Sequence, residues 1–371
     1  MSLGFIESVT TQEKADVLRD GQKGKEMVEP WSNYFVGRLQ KDMNEGNTIL
    51  GGLITSTNRF NMTENLDYLN RNAYSGGIDF TQYWGEKKYY VKFNYTMSHI
   101  MGTEEAMIYQ QESSRRYFQR PDNTYATFDS TRNSLTGHGG TIQIGKQTSS
   151  KLRYMGWVTW RSPGLELNDM GYLRQSDAIF QVFWIGYRFS EPFSIFRQAN
   201  IGLDQWTGWD FGGNNSFKGA NISFWSQFVN YWMFGGGISM EGDGLSNYML
   251  RGGPSIITPG SWNYWVNLGT DQRKKFSIHG WHSNLWAFEN SYRHMSYGLN
   301  FNYRPFDALR LSFIPDYSMT KTKLQYLNTE EINGQSKYVF AALDQVTTTF
   351  TIRIDYSITP DLTIQYYGSP F

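Results

Sequence analysis

Apolar and polar residues alternate with a period of two in segment after segment of this 371-residue chain. Between 296 and 303, Tyr297, Leu299, Phe301 and Tyr303 interleave with Ser, Gly and Asn, and similar alternation recurs at 89–98, 152–161 and 350–358. Successive side chains of a β-strand point to opposite faces, whereas a helix would scatter them around its circumference. The pattern therefore predicts strands with one apolar and one polar face.

The mean hydropathy of −0.54 is typical of a soluble protein, yet the chain carries 25 Tyr, 25 Phe and 13 Trp. The longest run without charge, 219–240, is interrupted by polar residues and three consecutive glycines. It fails the requirement of about 20 mainly apolar residues for a membrane-spanning helix. A transmembrane β-barrel remains compatible, because its alternating strands average to mild hydrophilicity.

Composition excludes several functional classes. The formal net charge is zero and there is no basic block, so the electrostatic footprint of a nucleic-acid-binding protein is missing. The absence of cysteine excludes disulfide scaffolds, thiol nucleophiles and cysteine-based metal sites. The many aromatic residues are atypical of a disordered chain.

Connections between the candidate strands alternate between short and long. The long polar segments lie near 61–71, 101–136, 162–177, 208–216, 241–261 and 319–340. The predicted short turns are Asn44–Asn47, Gly85–Lys88, Lys146–Lys151, Ser190–Ile195, Phe228–Trp232, Thr270–Lys275, Arg304–Ala308 and Ile358–Asp361. Short turns on one side and long loops on the other are typical of outer-membrane barrels, whereas a propeller would show a fixed sequence repeat. We predict an all-β fold: an antiparallel transmembrane β-barrel of about sixteen strands.

The two ends depart from this pattern. Residues 1–30 are expected to be a polar lead-in segment with a short helix at 11–19, and residues 31–371 to be the barrel domain. Phe371 is like the final aromatic residue of many outer-membrane barrels, but Gly368–Pro370 interrupts the alternation before it. We therefore expect the barrel to be incomplete at its C-terminus.

Several segments, in order along the chain, carry a family resemblance. They are YFVGRLQKD at 34–42, TSTNR at 55–59, RYFQRPD at 116–122, DSTRNSLTGHGG at 129–140, SPGLELNDMGYLR at 162–174, LRGGP at 250–254 and ITPDLTIQYYGSP at 358–370. Together they resemble the large uncharacterised C-terminal domain of Bacteroidota envelope proteins that carry an N-terminal family 9 carbohydrate-binding module. The resemblance spans most of residues 31–371.

The resemblance implies an outer-membrane barrel that handles carbohydrate. The carbohydrate role derives from the N-terminal module, which the present sequence does not include. Members of the family continue into further strands, so sixteen is a lower bound for the parent protein. The resemblance supplies no catalytic residues.

Catalytic and metal-binding candidates are few. Glu166 and Asp169, in the loop 163–177, are the best local pair for a glycosidase, which needs two carboxyl groups about 5–10 Å apart. Glu104 and Glu105 are a second pair, although acidic residues in long loops are usually only solvated. His279 and His282 would face opposite sides of a strand. We therefore predict no metal site and no cofactor.

Charged residues in two places are predicted to meet a ligand. The long loop 109–125 is both charged and aromatic, and we expect it to fold over or into the lumen, where it contacts a ligand or constricts the passage. Its candidate ligand-binding residues are Arg115, Arg116, Tyr117, Arg120 and Asp122. Charges opposite the apolar faces should line the lumen, because they would be costly against lipid. These are Lys92, Arg153, Arg161, Arg310, Arg353 and Asp355.

The predicted function is the passage or capture of a polar ligand by non-covalent binding, with an oligosaccharide suggested by the resemblance. The alternatives are a surface hydrolase that uses loop carboxylates and an anchor that displays a carbohydrate-binding module. The predicted location is the outer membrane of a Gram-negative bacterium, with the long loops outward and membrane lipid as a partner.

Overall fold

The computed structural model describes residues 1–19, 21–147 and 151–370, which fold almost entirely as β-structure. One α-helix, α1 (Glu104–Glu112), and three short 3₁₀ turns (Asn44–Gly46, Glu64–Leu66 and Phe288–Asn290) accompany the strands. The strands are β1 (Ser2–Thr10), β2 (Glu13–Arg19), β3 (Gln22–Glu29), β4 (Trp31–Met43), β5 (Thr48–Phe60), β6 (Asn72–Trp84), β7 (Tyr89–Met101), β8 (Ser134–Lys146), β9 (Leu152–Arg161), β10 (Ala178–Phe189), β11 (Phe196–Trp209), β12 (Asn215–Phe228), β13 (Met233–Glu241), β14 (Gly244–Ser246), β15 (Ile256–Thr258), β16 (Ser261–Gly269), β17 (Phe276–Ala287), β18 (Tyr292–Phe306), β19 (Leu309–Ile332), β20 (Gln335–Thr359) and β21 (Leu362–Gly368). Within this part of the chain, no helix is long and apolar enough to cross a membrane.

One antiparallel sheet of 17 strands dominates the fold. From β4 to β13 and from β16 to β21, each strand pairs with the next one in the sheet, and β13 pairs with β16. Strand β1 extends the sheet by pairing with β4, from Ser2 opposite Gln40 to Thr10 opposite Ser32. The two outermost strands are therefore β1 and β21, and no residue register joins them in the described ranges.

The predicted all-β antiparallel class is confirmed, but the predicted count of sixteen strands is wrong, since the described residues form 21. The sixteen expected strands are present, and each predicted short turn lies between two of them. The turn at Lys146–Lys151 includes residues 148–150, which lie outside the described residues, as does Phe371. The five additional strands are β1 and two small hairpins, β2–β3 and β14–β15.

Two predicted local structures are corrected. The helix expected at 11–19 is wrong, because most of those residues form β2, which pairs with β3 from Lys14 opposite Met27 to Arg19 opposite Gln22. The long loop expected at 319–340 is instead the end of a hairpin, in which β19 and β20 have 24 and 25 residues. Its turn is Asn333–Gly334, with φ of 54° and 73°, the Asn-Gly pair that a tight hairpin favours.

The sheet has one apolar and one polar face, and its register defines both. Leu203, Ile222 and Ile238 are direct neighbours across β11, β12 and β13, and their exposed fractions are 53%, 49% and 52%. One residue along the same strands, Asp204 lies opposite Asn221, whose amide donates to the Asp204 carboxylate at 2.9 Å. We call these the apolar face and the polar face. The period-two alternation thus covers one side of the sheet with exposed apolar side chains.

Helix α1 packs on the polar face near the ends of β6, β7 and β8. Ala73, Ile100 and Leu135 lie side by side on these three strands and are buried. With Ala106 and Met107 of α1 and with Phe118 they form the one buried apolar cluster of the described residues. The Thr103 hydroxyl caps the helix by accepting from the Ala106 amide at 3.1 Å. This cluster fixes the long segment after β7 against the sheet.

Candidate functional site

The segment 162–177 lies directly on the polar face beside α1. The Glu166 amide donates to the hydroxyl of Ser98, a polar-face residue of β7, at 2.9 Å. Next to it, a Cβ atom on Gly137 of β8 would come within 2.0 Å of the Leu165 amide nitrogen. Glycine at this position therefore allows the segment to approach the strand backbone. The polar face of β7 and β8 forms the floor of the site.

A buried ion pair joins this segment to the segment after α1. The Arg116 guanidinium donates to the Glu166 carboxylate at 2.7 Å, and Arg115 donates to the same oxygen at 3.0 Å. The Arg116 side chain also donates to the Leu165 carbonyl at 2.8 Å. Burial alone would raise the pKa of Glu166, but the two arginine charges and its hydrogen bonds outweigh burial and hold the pKa below its usual value. Glu166 is thus a fixed anion in the site.

The second oxygen of Glu166 organises the loop that follows it. This oxygen accepts from the Asn168 side-chain amide at 2.7 Å and from the Asn168 backbone amide at 2.9 Å. Asn168 in turn accepts from the Leu173 amide at 2.7 Å and donates to the Leu173 carbonyl at 3.1 Å. The carboxylate therefore sets the position of Leu173 and of Arg174 next to it.

A second buried group connects the site to the start of β10 and the end of β11. The Asp177 carboxylate accepts from the Tyr125 hydroxyl at 2.7 Å, from the Phe211 amide at 3.0 Å and from Arg120 at 3.5 Å. Burial raises the pKa of Asp177, outweighing these hydrogen bonds, and burial together with the Asp177 carboxylate raises the pKa of the Tyr125 phenol. Asp177 therefore keeps its charge less readily than Glu166.

The two carboxylates suggested as a catalytic pair have separate arginine partners. Asp169 accepts from Arg59 at 2.7 Å and from the Asn70 amide at 2.8 Å, whereas Glu166 is held by Arg115 and Arg116. Both are salt-bridged, and a glycosidase acid needs a raised pKa. The alternative pair, Glu104 and Glu105, lies exposed in the first turn of α1.

A cavity of 430 Å³ opens where these elements meet. Arg161, at the end of β9, lines it from the polar face, and Arg115 and Arg174 line it from the segment after α1 and the segment after β9. Asp177, Asn247 and Tyr248 complete its polar wall. Strand-borne and loop-borne polar groups therefore converge on one cavity.

The predicted loop residues fall at two places. Arg115, Arg116 and Tyr117 line the cavity. Arg120 pairs with Asp177 and donates to the Ser255 hydroxyl at 3.0 Å. Asp122 accepts from the Ser255 amide at 2.9 Å, so Arg120 and Asp122 together tie the loop to the segment 241–261.

The six charges predicted to line the lumen all lie on the polar face by register: Lys92, Arg153, Arg161, Arg310, Arg353 and Asp355. Arg161 alone among them lines the cavity. Arg153 lies over the Trp184 ring at 5.5 Å, and Arg310 lies directly opposite Asp355 across β19 and β20.

Sequence reasoning missed Ser98, Arg59, Asn70 and Asp177 as parts of the site. Arg59 and Asp169 are 110 positions apart, and Ser98 and Glu166 are 68 apart. No local pattern marks such partners. The only signal was Asp177 itself, an acidic residue at the end of a long polar segment.

The sequence matches the family model described as Domain of unknown function (DUF5916) over residues 1–367. The chain belongs to this family. No curated protein shows significant sequence similarity to it. Membership agrees with the predicted resemblance to an uncharacterised domain family.

Three solved structures are among those similar to this DUF5916 chain. The ferric enterobactin receptor of Pseudomonas aeruginosa, as a mutant, has a TM-score of 0.50 at 9% identity, covering 99% of this chain and 61% of the receptor. The siderophore receptor PirA of Acinetobacter baumannii has a TM-score of 0.47 at 9% identity, and the match covers 98% of this chain and 62% of PirA. A BenF-like porin of Pseudomonas fluorescens has a TM-score of 0.43 at 12% identity, and the match covers 99% of this chain and 90% of the porin. The chain thus spans about three fifths of the two receptors, and the first likeness supports an outer-membrane β-barrel type of fold.

Proposed function

We propose that this DUF5916 chain is an outer-membrane protein of Gram-negative bacteria that captures a polar ligand non-covalently on its polar face and passes it along that face. The observation that carries this proposal is the 430 Å³ cavity between Arg161 of the sheet and the loop residues Arg115 and Arg174. Ligand sites are concave and hold a few convergent polar groups, as this cavity does.

The apolar face supports the proposed location. Its exposed side chains form continuous rows across neighbouring strands, such as Leu203, Ile222 and Ile238. A row of this kind in water would be an aggregation hazard, whereas lipid gives it a solvent of matching polarity. The long loops would then face outward, with the cavity near the outer end of the sheet.

The finer proposal is an oligosaccharide ligand, and it rests on the resemblance to domains that follow a carbohydrate-binding module. Aromatic rings on the polar face give it a physical basis, since Trp206, Trp265 and Trp281 lie on that face by register. Flat apolar rings of this type can stack on the faces of sugar rings, while the cavity supplies the polar contacts.

The same geometry favours binding over hydrolysis. Glu166 and Asp169 have separate arginine partners, and the lowered pKa of Glu166 keeps it ionised, whereas an acid catalyst must hold a proton. The remaining alternative, an anchor for another domain, differs from passage in a measurable way, because an anchor needs no conducting path.

The test is ion conductance of the folded protein in a planar bilayer, with and without a neutral oligosaccharide such as maltohexaose. Stable, discrete steps that the sugar blocks in a concentration-dependent manner are expected. A correctly inserted protein that conducts no current would contradict passage, and the absence of sugar binding by calorimetry in addition would contradict capture. Failure to insert into lipid at all would contradict the proposed location.

A further inference from the structure

We infer that the cavity lined by Arg115, Arg161 and Arg174 binds an anionic group, a carboxylate or a phosphate, carried by the ligand. This inference rests on the proposed function and specifies the chemical class of the ligand. It follows from the balance of charge around the cavity, from the two arginines there that lack an acidic partner, and from the rigid support of one of them.

The charges around the cavity do not balance. Among the described residues that line it, four are arginines (Arg115, Arg116, Arg161 and Arg174) and one, Asp177, carries a carboxylate. Glu166 is shared between Arg115 and Arg116, and Asp177 is within 3.5 Å of Arg120. Two of the four lining arginines therefore have no acidic partner among the described residues, although the chain as a whole has a formal net charge of zero.

Arg161 and Arg174 are the two arginines without an acidic partner. Arg161 is half-buried, and its only polar contact among the described residues is to the Gln175 carbonyl, at 3.4 Å. Its guanidinium lies 5.4 Å from the centre of the Phe180 ring. Arg174 is exposed and forms neither a hydrogen bond nor an ion pair within the described ranges. A guanidinium that is partly removed from water gains most from an anion that it can bind through two parallel hydrogen bonds.

The backbone next to Arg174 is held in place before any ligand binds. Its neighbour Leu173 is held through both backbone groups by Asn168, which is held in turn by the buried Glu166 carboxylate. Arg161 is fixed by the ladder of β9, where it lies opposite Gly139 and Ala178. Because the backbone that carries each arginine is held in place, binding costs mainly the rotamer freedom of the two side chains.

The size of the cavity limits what it can hold. A volume of 430 Å³ lies near the lower end of the range of about 300–1,000 Å³ for small-molecule sites. It therefore suits one charged unit of a longer ligand, such as a uronic acid residue or a phosphorylated sugar. Both carry oxyanions that a guanidinium pair recognises in the same way.

The experiment is calorimetric titration of the full chain, folded in detergent, with three probes: sodium glucuronate, inorganic phosphate and glucose. The variants are Arg174→Gln and Arg161→Gln. The matched control is Arg71→Gln, which removes an exposed loop arginine that is paired with Asp67 at 3.4 Å, outside the cavity. Because Arg174 is exposed and makes no contact that holds the loop, its variant should fold normally, and a thermal unfolding scan checks this for each protein.

We expect at least one of the two anions to bind at least tenfold more tightly than glucose. Each cavity variant should weaken that binding by at least tenfold, and Arg71→Gln should change it by less than twofold. Preference for glucuronate would identify a carboxylate ligand, and preference for phosphate a phosphorylated one. Equal binding of glucose and the anions, no binding of either anion, or no effect of Arg174→Gln would overturn the inference. If the inference failed in this way but a neutral sugar still blocked conductance in the same preparation, the proposed function would stand without an anionic ligand.

Discussion

The Arg116 guanidinium and the Glu166 carboxylate meet at 2.7 Å with side chains that are 0% and 1% exposed. Fifty positions separate them in the sequence, and their contact joins the segment after α1 to the segment after β9. A buried ion pair of this type costs desolvation energy on both sides, so removing one partner leaves an uncompensated charge. The integrity of the loop assembly over the polar face depends on it.

Glu166→Gln should therefore release the loop assembly. Loss of one partner of a buried pair costs roughly 3–5 kcal/mol, which we expect to appear as faster exchange of the amides at 162–177 and 113–133. Hydrogen-exchange mass spectrometry measures these exchange rates. Asp67→Asn, which removes the partner of the exposed Arg71, is the control and should change stability by no more than about 1 kcal/mol. Equal exchange in the two variants would contradict the structural role of Glu166.

Acid should open the same assembly in the wild-type protein. The folded-state pKa of Glu166 lies below its unfolded value, so its stabilisation is complete above about pH 4.3 and is lost as the pH falls through the folded pKa. The folded-state pKa of Asp177 is raised, so its contribution has the opposite sign and is lost as the pH rises through that value. The protection of these amides, measured against the intrinsic exchange rate at each pH, should therefore fall at the acid end of a series from pH 7 to pH 3.

Variants separate these two contributions. In Glu166→Gln the acid opening should be absent, whereas Asp177→Asn should retain it. At pH 7, Asp177→Asn should also be less destabilising than Glu166→Gln, because burial already disfavours the charged form of Asp177. If acid opening persisted in Glu166→Gln, a group other than Glu166 would be responsible for it.

Gly137→Ala should displace the segment 162–177 from the sheet. The added methyl group would lie within 2.0 Å of the Leu165 amide nitrogen, a backbone atom that cannot move aside without the segment. We expect exposure of the loop to limited proteolysis, with the sheet intact by circular dichroism. Gly52→Ala on the apolar face, whose Cβ would come no closer than 3.7 Å to any other atom, is the control. Proteolysis at the wild-type rate in Gly137→Ala would refute the close approach.

The assignment of the two faces can be tested on one strand. Phe301→Arg introduces a charge on the apolar face, which costs about 2–4 kcal/mol at the midplane of a bilayer, and should impair insertion into vesicles. Asn300→Arg, at the next position and on the polar face, should insert normally. Arg153→Leu should also be tolerated, because it removes a polar-face charge whose Nε atom is buried without a hydrogen-bond partner. Heat-modifiable mobility after vesicle flotation measures insertion. Equal insertion of Phe301→Arg and Asn300→Arg would overturn the assignment of the two faces.

The sixteen strands and their faces could be predicted because both depend on local patterns. Alternation along a strand decides which side chains share a face, and turn residues mark where it ends. The same reasoning failed at β1 and β2, where short strands in a polar segment depend on their partners β4 and β3. It also failed at 319–340, because β19 and β20 stay paired through this segment as far as the Asn333–Gly334 turn.

The sequence by itself determined the all-β class, the short turns and the placement of six charges on the polar face, since each follows from neighbours in the chain. Only the tertiary structure decided that Glu166 binds Arg116 and that Asp169 binds Arg59. Loop residues have no periodicity, and their partners are chosen by the sheet that brings distant segments together and by the burial that makes an unpaired charge costly. The arginine-rich cavity at Arg161 and Arg174 is for this reason a property of the folded chain.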